Sequence, residues 1–150
     1  NGKDDYRAIP SFTGALADGW DFVQGSRYVP GGRAVNTPWD RHIGVVLVHA
    51  PLISLASRTR YTDTTNGFRA FSRRLLLDDR VRPFRAVFDT YNLHYYLSIR
   101  AARLGFRVTE LPVTRSYPSE GPTPSKIGGL GGKAHILKQL FLAIAGAYDP

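Results

Sequence analysis

Neither cysteine nor methionine occurs among the 150 residues. Without cysteine there are no disulfides, no thiol nucleophile and no Cys-ligated zinc. A chain that begins at Asn1 and carries no Met is expected to be a processed product or a piece of a longer protein. Long apolar runs are also missing. The most apolar stretch, Ile43–Ala56, is too short to span a bilayer and is broken by His49 and Pro51. The first residues carry Lys3, Asp4, Asp5 and Arg7 in place of the apolar core of a signal peptide. The expected class is a soluble or membrane-peripheral cytoplasmic protein.

Acidic residues are scarce. Twelve Asp and Glu face 20 Lys and Arg, a net charge of +8, and 16 of the 20 are Arg. Such a surface suits nucleic acid, anionic lipid or phosphorylated small molecules, with Arg favoured for bidentate phosphate contacts. The basic residues are spread along the chain and form no nucleic-acid-binding motif, so a nucleic-acid partner is not expected. Hydrophobic residues make up 43%, enough for a core in a chain of this size.

Helix and strand signals alternate, which points to an α/β class. Asp4 or Asp5 caps a first helix bearing Ile9, Phe12 and Leu16, and Gly19 ends it. Asp21–Arg27 reads as a strand in which Gly25 admits a close neighbour. Tyr28–Thr37 reads as a loop. Pro38 opens a helix to about Ser57, bent at Pro51. Gly67–Phe71 is a short strand and Ser72–Asp79 a short helix. Asp89 or Thr90 opens a longer helix closed by Gly105. Phe106–Val113 is a strand, Tyr117–Gly132 a loop, and Lys133–Tyr148 a helix whose Ile136, Leu137, Leu140, Phe141 and Ile144 form one stripe that packs on the sheet or lies on a membrane. About three strands are few for this many helices, so the sheet reads as incomplete.

Four clusters carry chemistry. Gln24-Gly25-Ser26-Arg27, followed by Gly31-Gly32, sits at a strand's C-terminal end, where α/β sheets bind ligands; it reads as a phosphate clamp or as a strand end with a solvated Arg. Asp63-Thr64-Thr65-Asn66-Gly67-Phe68-Arg69 concentrates a carboxylate, hydroxyls, an amide and a guanidinium, and reads equally as a site loop or an Asx turn. Glu110-Leu111-Pro112-Val113 with Arg115 reads first as a structural salt bridge. Ser125-Lys126 lies in a Gly/Pro-rich loop that can fold over a phosphate or stay irregular; the Walker spacing is absent.

In this order and spacing the clusters resemble the C-terminal part of a family 2 glycosyltransferase of the GT-A fold. The branch is that of dolichyl-phosphate mannose synthases and related bacterial cell-envelope enzymes. Further matching residues are Tyr28, Arg41 and Gly105-Phe106-Arg107-Val108. The resemblance covers essentially all 150 residues and implies the acceptor-side part of one catalytic domain. The nucleotide-binding half would lie outside the chain, leaving an incomplete mixed sheet flanked by helices, inactive alone.

The resemblance also implies roles. Ser125 and Lys126 would close over the donor diphosphate. Arg27, Arg41 and Arg69 would contact the acceptor. Asp63 is the first choice for the carboxylate near the acceptor and Asp89 the second; either would act as base if the acceptor is a sugar hydroxyl, whereas a lipid phosphate needs little base. The cofactor would be Mg2+ or Mn2+, with its first ligand upstream. Asn1 would stand at the second Asp of the family's Asp-x-Asp, and Lys3 where Gln is usual. Asn is a weaker ligand than Asp, and Lys would add charge near the metal. The stretch from Arg115 to Ser125-Lys126 is longer than the family's short form. The implied partners are a nucleotide-diphosphate sugar and a phosphorylated lipid or glycan acceptor, at the cytoplasmic face of a membrane. A non-catalytic remnant of such an enzyme is the alternative.

If Lys126 contacts the donor diphosphate, Lys126→Ala weakens nucleoside-diphosphate affinity in the complete enzyme by roughly 1–3 kcal/mol, the range for a lost charge-assisted contact. Isothermal calorimetry reads this directly, and unchanged affinity returns the loop to its irregular reading.

Overall fold

A computed structural model describes residues 2–119 and 129–150. Its centre is β1 (Phe22–Ser26), buried along its whole length. β3 (Arg69–Phe71) pairs with it antiparallel and β4 (Val108–Pro112) parallel, so the sheet order is β3-β1-β4. Side chains alternate across a strand. Phe22 therefore enters the large core, with Ile53, Tyr61, Leu75, Tyr96 and Leu140. Val23 enters a smaller core on the other side, with Phe12, Ala15 and Val113. A strand covered on both faces reads as a short apolar run without polar alternation, as Phe22-Val23 does.

The smaller core is closed by α1 (Ile9–Ala17), whose Phe12 meets Phe68 edge-on at 4.8 Å. Asp5 caps the single turn Tyr6–Ala8 that precedes it, its carboxylate accepting from the Arg7 N–H. On the opposite face lie α3 (Ala50–Ser57), α5 (Asn92–Arg103) and α6 (Gly129–Ile144), with the short α4 (Arg73–Leu76) capped by Ser72. α5 begins after Asp89 and Thr90 because Asn92 supplies the local bonds, donating to Val87 O and accepting from the Thr90 N–H. On α6, Ile136, Leu140 and Ala143 are buried, while Leu137 and Phe141 are exposed. The helix packs on the body, and its apolar stripe is wider than the contact it makes.

The helix expected from Pro38 onward is three segments: α2 (Trp39–Ile43), a π-helical stretch Gly44–His49, and α3. Pro51 explains the wide turn. It lacks the N–H that would bond Leu47 O, and its ring crowds that carbonyl. The Ala50 N–H reaches back to Val45 O instead. A π-bulge absorbs the misfit without breaking the helix.

Periodicity did not reveal a second, two-stranded sheet. β2 (Arg33–Val35), within the expected Tyr28–Thr37 loop, pairs parallel with β5 (Thr114–Ser116). Three exposed residues carry no alternation to detect. The chain start runs along the same ribbon: the Asp5 N–H bonds Thr114 O and the Ser116 N–H bonds Lys3 O.

Two glycines allow these approaches. A Cβ on Gly25 would stand 2.7 Å from Phe68 O, the close neighbour expected there. A Cβ on Gly32 would meet Ser26 O at 2.6 Å and the Arg27 carbonyl carbon at 2.8 Å. Both obstacles at Gly32 are backbone and cannot rotate away. Gly32→Ala should therefore destabilise the chain by about 1–3 kcal/mol, the usual cost of overpacking, measured as a lower urea midpoint; Gly14→Ala, whose Cβ meets nothing within 4 Å, is the control.

Candidate functional site

β1 and β4 end side by side, and the loop 62–66 crosses their ends. Two carboxylates hold that loop. Glu110, on β4, accepts from the Thr62 N–H at 2.9 Å, the Thr62 hydroxyl at 2.8 Å and the Asp63 N–H at 3.0 Å. Among the described residues it makes no ion pair, and where a salt bridge was expected it clamps the backbone instead. Burial pushes the Glu110 carboxyl up, with the Asp63 charge adding to it against the hydrogen bonds it accepts. Ser26 joins the same knot, its hydroxyl 2.6 Å from that of Thr62.

The second carboxylate is Asp63, fully buried. Arg27 grips it with Nε at 2.6 Å from Oδ2 and Nη2 at 3.0 Å from Oδ1. Asp63 also accepts from the N–H groups of Arg27, Thr65 and Asn66. Burial alone would lower the Arg27 pKa, but the hydrogen bonds and charge of Asp63 more than offset it and raise it. The pair is bidentate, the strong geometry for a guanidinium and a carboxylate. The carboxylate expected beside an acceptor is thus engaged on both oxygens by the guanidinium expected to hold that acceptor.

Arg69 is turned inward. Its Nε donates to Asn66 O, Nη1 to His94 O and Nη2 to Thr64 O, at 2.7–3.0 Å. Burial pushes its pKa down to about 10. It ties the loop to α5, and this placement lends no support to the acceptor contact expected of it. Asp89 is exposed, its Oδ1 accepting from Thr90 and Asn92, and no contact joins it to Asp63. Asn1, Ser125 and Lys126 lie outside the described residues.

Arg41 does reach the sheet end. Its Nη1 is 3.5 Å from the Tyr117 hydroxyl and its guanidinium lies over the ring at 5.5 Å. Arg115 approaches the same hydroxyl at 3.4 Å and the same ring at 5.6 Å, while pairing with Asp4. The Lys3 ammonium sits over that ring at 5.0 Å. Tyr117 therefore gathers three cations around one aromatic ring, where each gains modestly from the ring's negative potential. Burial raises the Tyr117 phenol, but the hydrogen bonds from Arg115 and Arg41 bring it below its ordinary value. Arg27 adjoins this group: it stacks on Tyr28 at 5.3 Å, and the Tyr28 hydroxyl is 3.2 Å from His42 Nδ1, one residue from Arg41. Arg41 makes no ion pair among the described residues. Tyr117 was not anticipated from the sequence. The signal was its spacing: residues two apart along a strand share a face, and Tyr117 follows Arg115 by two.

Asn1, the residue of this chain expected to hold a divalent metal, lies outside the described residues. Among the described residues no group of three or more His, Asp or Glu side chains converges. Near the chain start, Asp4 is paired with Arg115 and Asp5 caps a turn.

No family model matches the chain. It is 32% identical over 139 residues to the polyprenol monophosphomannose synthase of Mycolicibacterium smegmatis, covering 90% of this chain and 49% of that protein. It is 35% identical over 118 residues to the undecaprenyl-phosphate mannosyltransferase of Micrococcus luteus, covering 77% of this chain and 46% of that one. The chain spans about half the length of the curated relatives it matches.

Asp63→Ala should cost about 3–5 kcal/mol in urea unfolding, because it strands a buried guanidinium. The double variant Arg27→Met/Asp63→Leu should lose clearly less than the two single losses added together. Additive losses would mean that the pair is not coupled.

Proposed function

We propose, on the premise that the chain is related to family 2 glycosyltransferases, that it forms the acceptor side of a GT-A catalytic domain. That domain would move a sugar from a nucleotide-diphosphate donor to a polyprenyl phosphate. Both relatives are named for polyprenyl-phosphate mannose chemistry, which supports a lipid-phosphate acceptor here. The observation that carries the reading is the convergence of Arg41 and Arg115 on Tyr117. Cations held close together repel unless an anion lies between them, and Arg41 has no carboxylate partner among the described residues. A phosphate monoester bound there would be held by Arg41 and Arg115, with Lys3 across the ring.

The engaged state of Asp63 favours the same acceptor class. A sugar hydroxyl must lose a proton as it attacks, which calls for a free base. Asp63 is held by Arg27 on both oxygens, and Asp89 is exposed and bonded to Thr90 and Asn92. A phosphate oxygen is already anionic and needs no base. In the proposed reaction that oxygen forms the new bond to the anomeric carbon while the bond to the donor diphosphate breaks. The nucleoside diphosphate leaves with the electron pair. One in-line displacement of this kind inverts the anomeric centre, through a transition state with oxocarbenium character. Cations beside the site stabilise the developing charge because they are placed before the reaction begins. Lys126, with Ser125, is proposed to serve the departing diphosphate, and Mg2+ or Mn2+ remains the proposed cofactor.

Arg41→Glu tests the reading in the complete enzyme. With undecaprenyl phosphate in detergent micelles, the acceptor KM should rise at least tenfold or transfer should be lost, while nucleotide-sugar affinity changes less than twofold. Loss of donor affinity instead would move Arg41 to the donor side and leave the lipid-phosphate reading without its carrier.

A further inference from the structure

The backbone of Tyr117 is held on both sides. Its N–H bonds Val35 O at 3.0 Å, and its carbonyl accepts from Asn36 Nδ2 at 3.3 Å. Asn36 sits at φ 51°, the left-handed region that Asn tolerates better than most residues. These bonds fix where the ring goes, and only 6% of the residue is exposed. The fold therefore sets the phenol in place ahead of any ligand.

A hydroxyl has one proton to give and two lone pairs to offer. Arg41 Nη1 and Arg115 Nε approach the Tyr117 oxygen at 3.5 and 3.4 Å. A guanidinium can only donate, so the oxygen accepts at both contacts. Its own proton must be given elsewhere, and none of the described residues accepts it. The other phenol of the group differs: the Tyr28 oxygen is 3.2 Å from His42 Nδ1, a ring nitrogen that accepts in one tautomer. A donor left unmet in a mostly buried place is costly. This one stands among cations, so the group that completes it is an acceptor with negative charge.

We propose that Tyr117 touches the substrate, its O–H donating to a non-bridging oxygen of the acceptor's phosphate monoester between Arg41 and Arg115. This rests on the acceptor reading above and adds a direction to it. Two guanidiniums attract an anion over a broad range of positions, whereas one O–H holds one oxygen on one line. With that oxygen held, another is left to face the anomeric carbon. No proton moves in the step, because the phosphate brings its own charge and the phenol keeps its hydrogen. The surroundings strengthen the donor. Burial raises the phenol, but the hydrogen bonds from Arg115 and Arg41, with the charges of Arg115 and Arg27, bring it below its ordinary value. A hydrogen bond from such an O–H to an ionised oxygen is of the short, strong class.

The probe is farnesyl phosphate, a short soluble polyprenyl phosphate, titrated calorimetrically into the complete enzyme. Tyr117→Phe keeps the ring and its cations and removes only the hydroxyl. Farnesyl phosphate should then bind about tenfold more weakly, as for a lost hydrogen bond to a charged group, while uridine and guanosine diphosphate bind within twofold of before. Ionisation separates this role from that of a phenol that merely braces the two guanidiniums. A phenolate accepts from Arg41 and Arg115 better than a phenol does, but it has no proton to donate. Affinity for farnesyl phosphate should therefore fall as pH rises through the phenol's titration. 3-Fluorotyrosine at position 117, a more acidic phenol, should move that fall to lower pH. The other groups around the phenol are Lys3, Arg41 and Arg115, with Asp4 on Arg115, and Arg27 with Asp63, Tyr28 and His42 beyond it. Tyr117→Phe keeps all of them and should lose the part of the fall that fluorination moves. Unchanged farnesyl phosphate affinity in Tyr117→Phe, or a pH profile that fluorination leaves in place, overturns the inference. So does a loss confined to the nucleoside diphosphates, which would put the hydroxyl on the donor side. If Arg41→Glu leaves the acceptor KM unchanged, the acceptor reading itself fails. If Arg41→Glu raises it while Tyr117→Phe binds farnesyl phosphate normally, only the role of Tyr117 fails.

Discussion

The Arg27–Asp63 pair is the constraint on which the rest of the sheet end depends. Both side chains are essentially removed from water, at 3% and 0% exposure. A lone charge in that position would cost several kcal/mol, so each partner dictates the position of the other. Arg27 is the first residue beyond β1, and Asp63 lies in a loop 36 residues away. Once they pair, the loop 62–66 must lie across the ends of β1 and β4. Glu110 then secures its backbone from below, and Arg69 ties its carbonyls to α5. Four charged side chains thus build a rigid floor without offering a free reactive group.

The floor decides what the surface above it can do. With Asp63 neutralised by Arg27, it adds no net negative charge, and the cations gathered at Tyr117 dominate the local field. Arg115 is paired with Asp4, and Arg41 sits in the first turns of a helix whose Asp40 pairs with Lys133. In the proposed reaction this arrangement suits an acceptor that brings its own negative charge. It also sorts the basic residues into two kinds. Arg27 and Arg69 are internal and hold the fold together, while Arg41 and Arg115 remain near solvent.

One backbone irregularity links the site to the outer surface. Pro51 forces a wide turn ahead of it. The segment buries Val45, Ala50 and Ile53 on its inner side, reaches Tyr117 through Arg41, and exposes Trp39, Leu47 and Leu55 outward.

Much of this was legible in the sequence. The three strands of the main sheet were marked by short apolar runs bounded by Gly and polar residues, and the main helices by apolar spacing and Gly caps. Gly25 signalled a close neighbour because nothing larger than hydrogen fits there. The ordered clusters around Arg27, Asp63 and Glu110 located the sheet end, because chemistry-bearing residues there follow strands directly. Tertiary structure alone decided which of those residues face each other. Arg27 and Asp63 both read as candidates for an acceptor, yet they cancel, because a buried charge selects an opposite charge within reach over any solvent-facing role. Tyr117 was hidden because an aromatic acquires meaning as a cation platform only when residues from three separate segments, Lys3, Arg41 and Arg115, arrive around it. The β2–β5 ribbon was hidden for a related reason: exposed strands owe their form to backbone pairing, and pairing between distant segments leaves no periodic mark on either one.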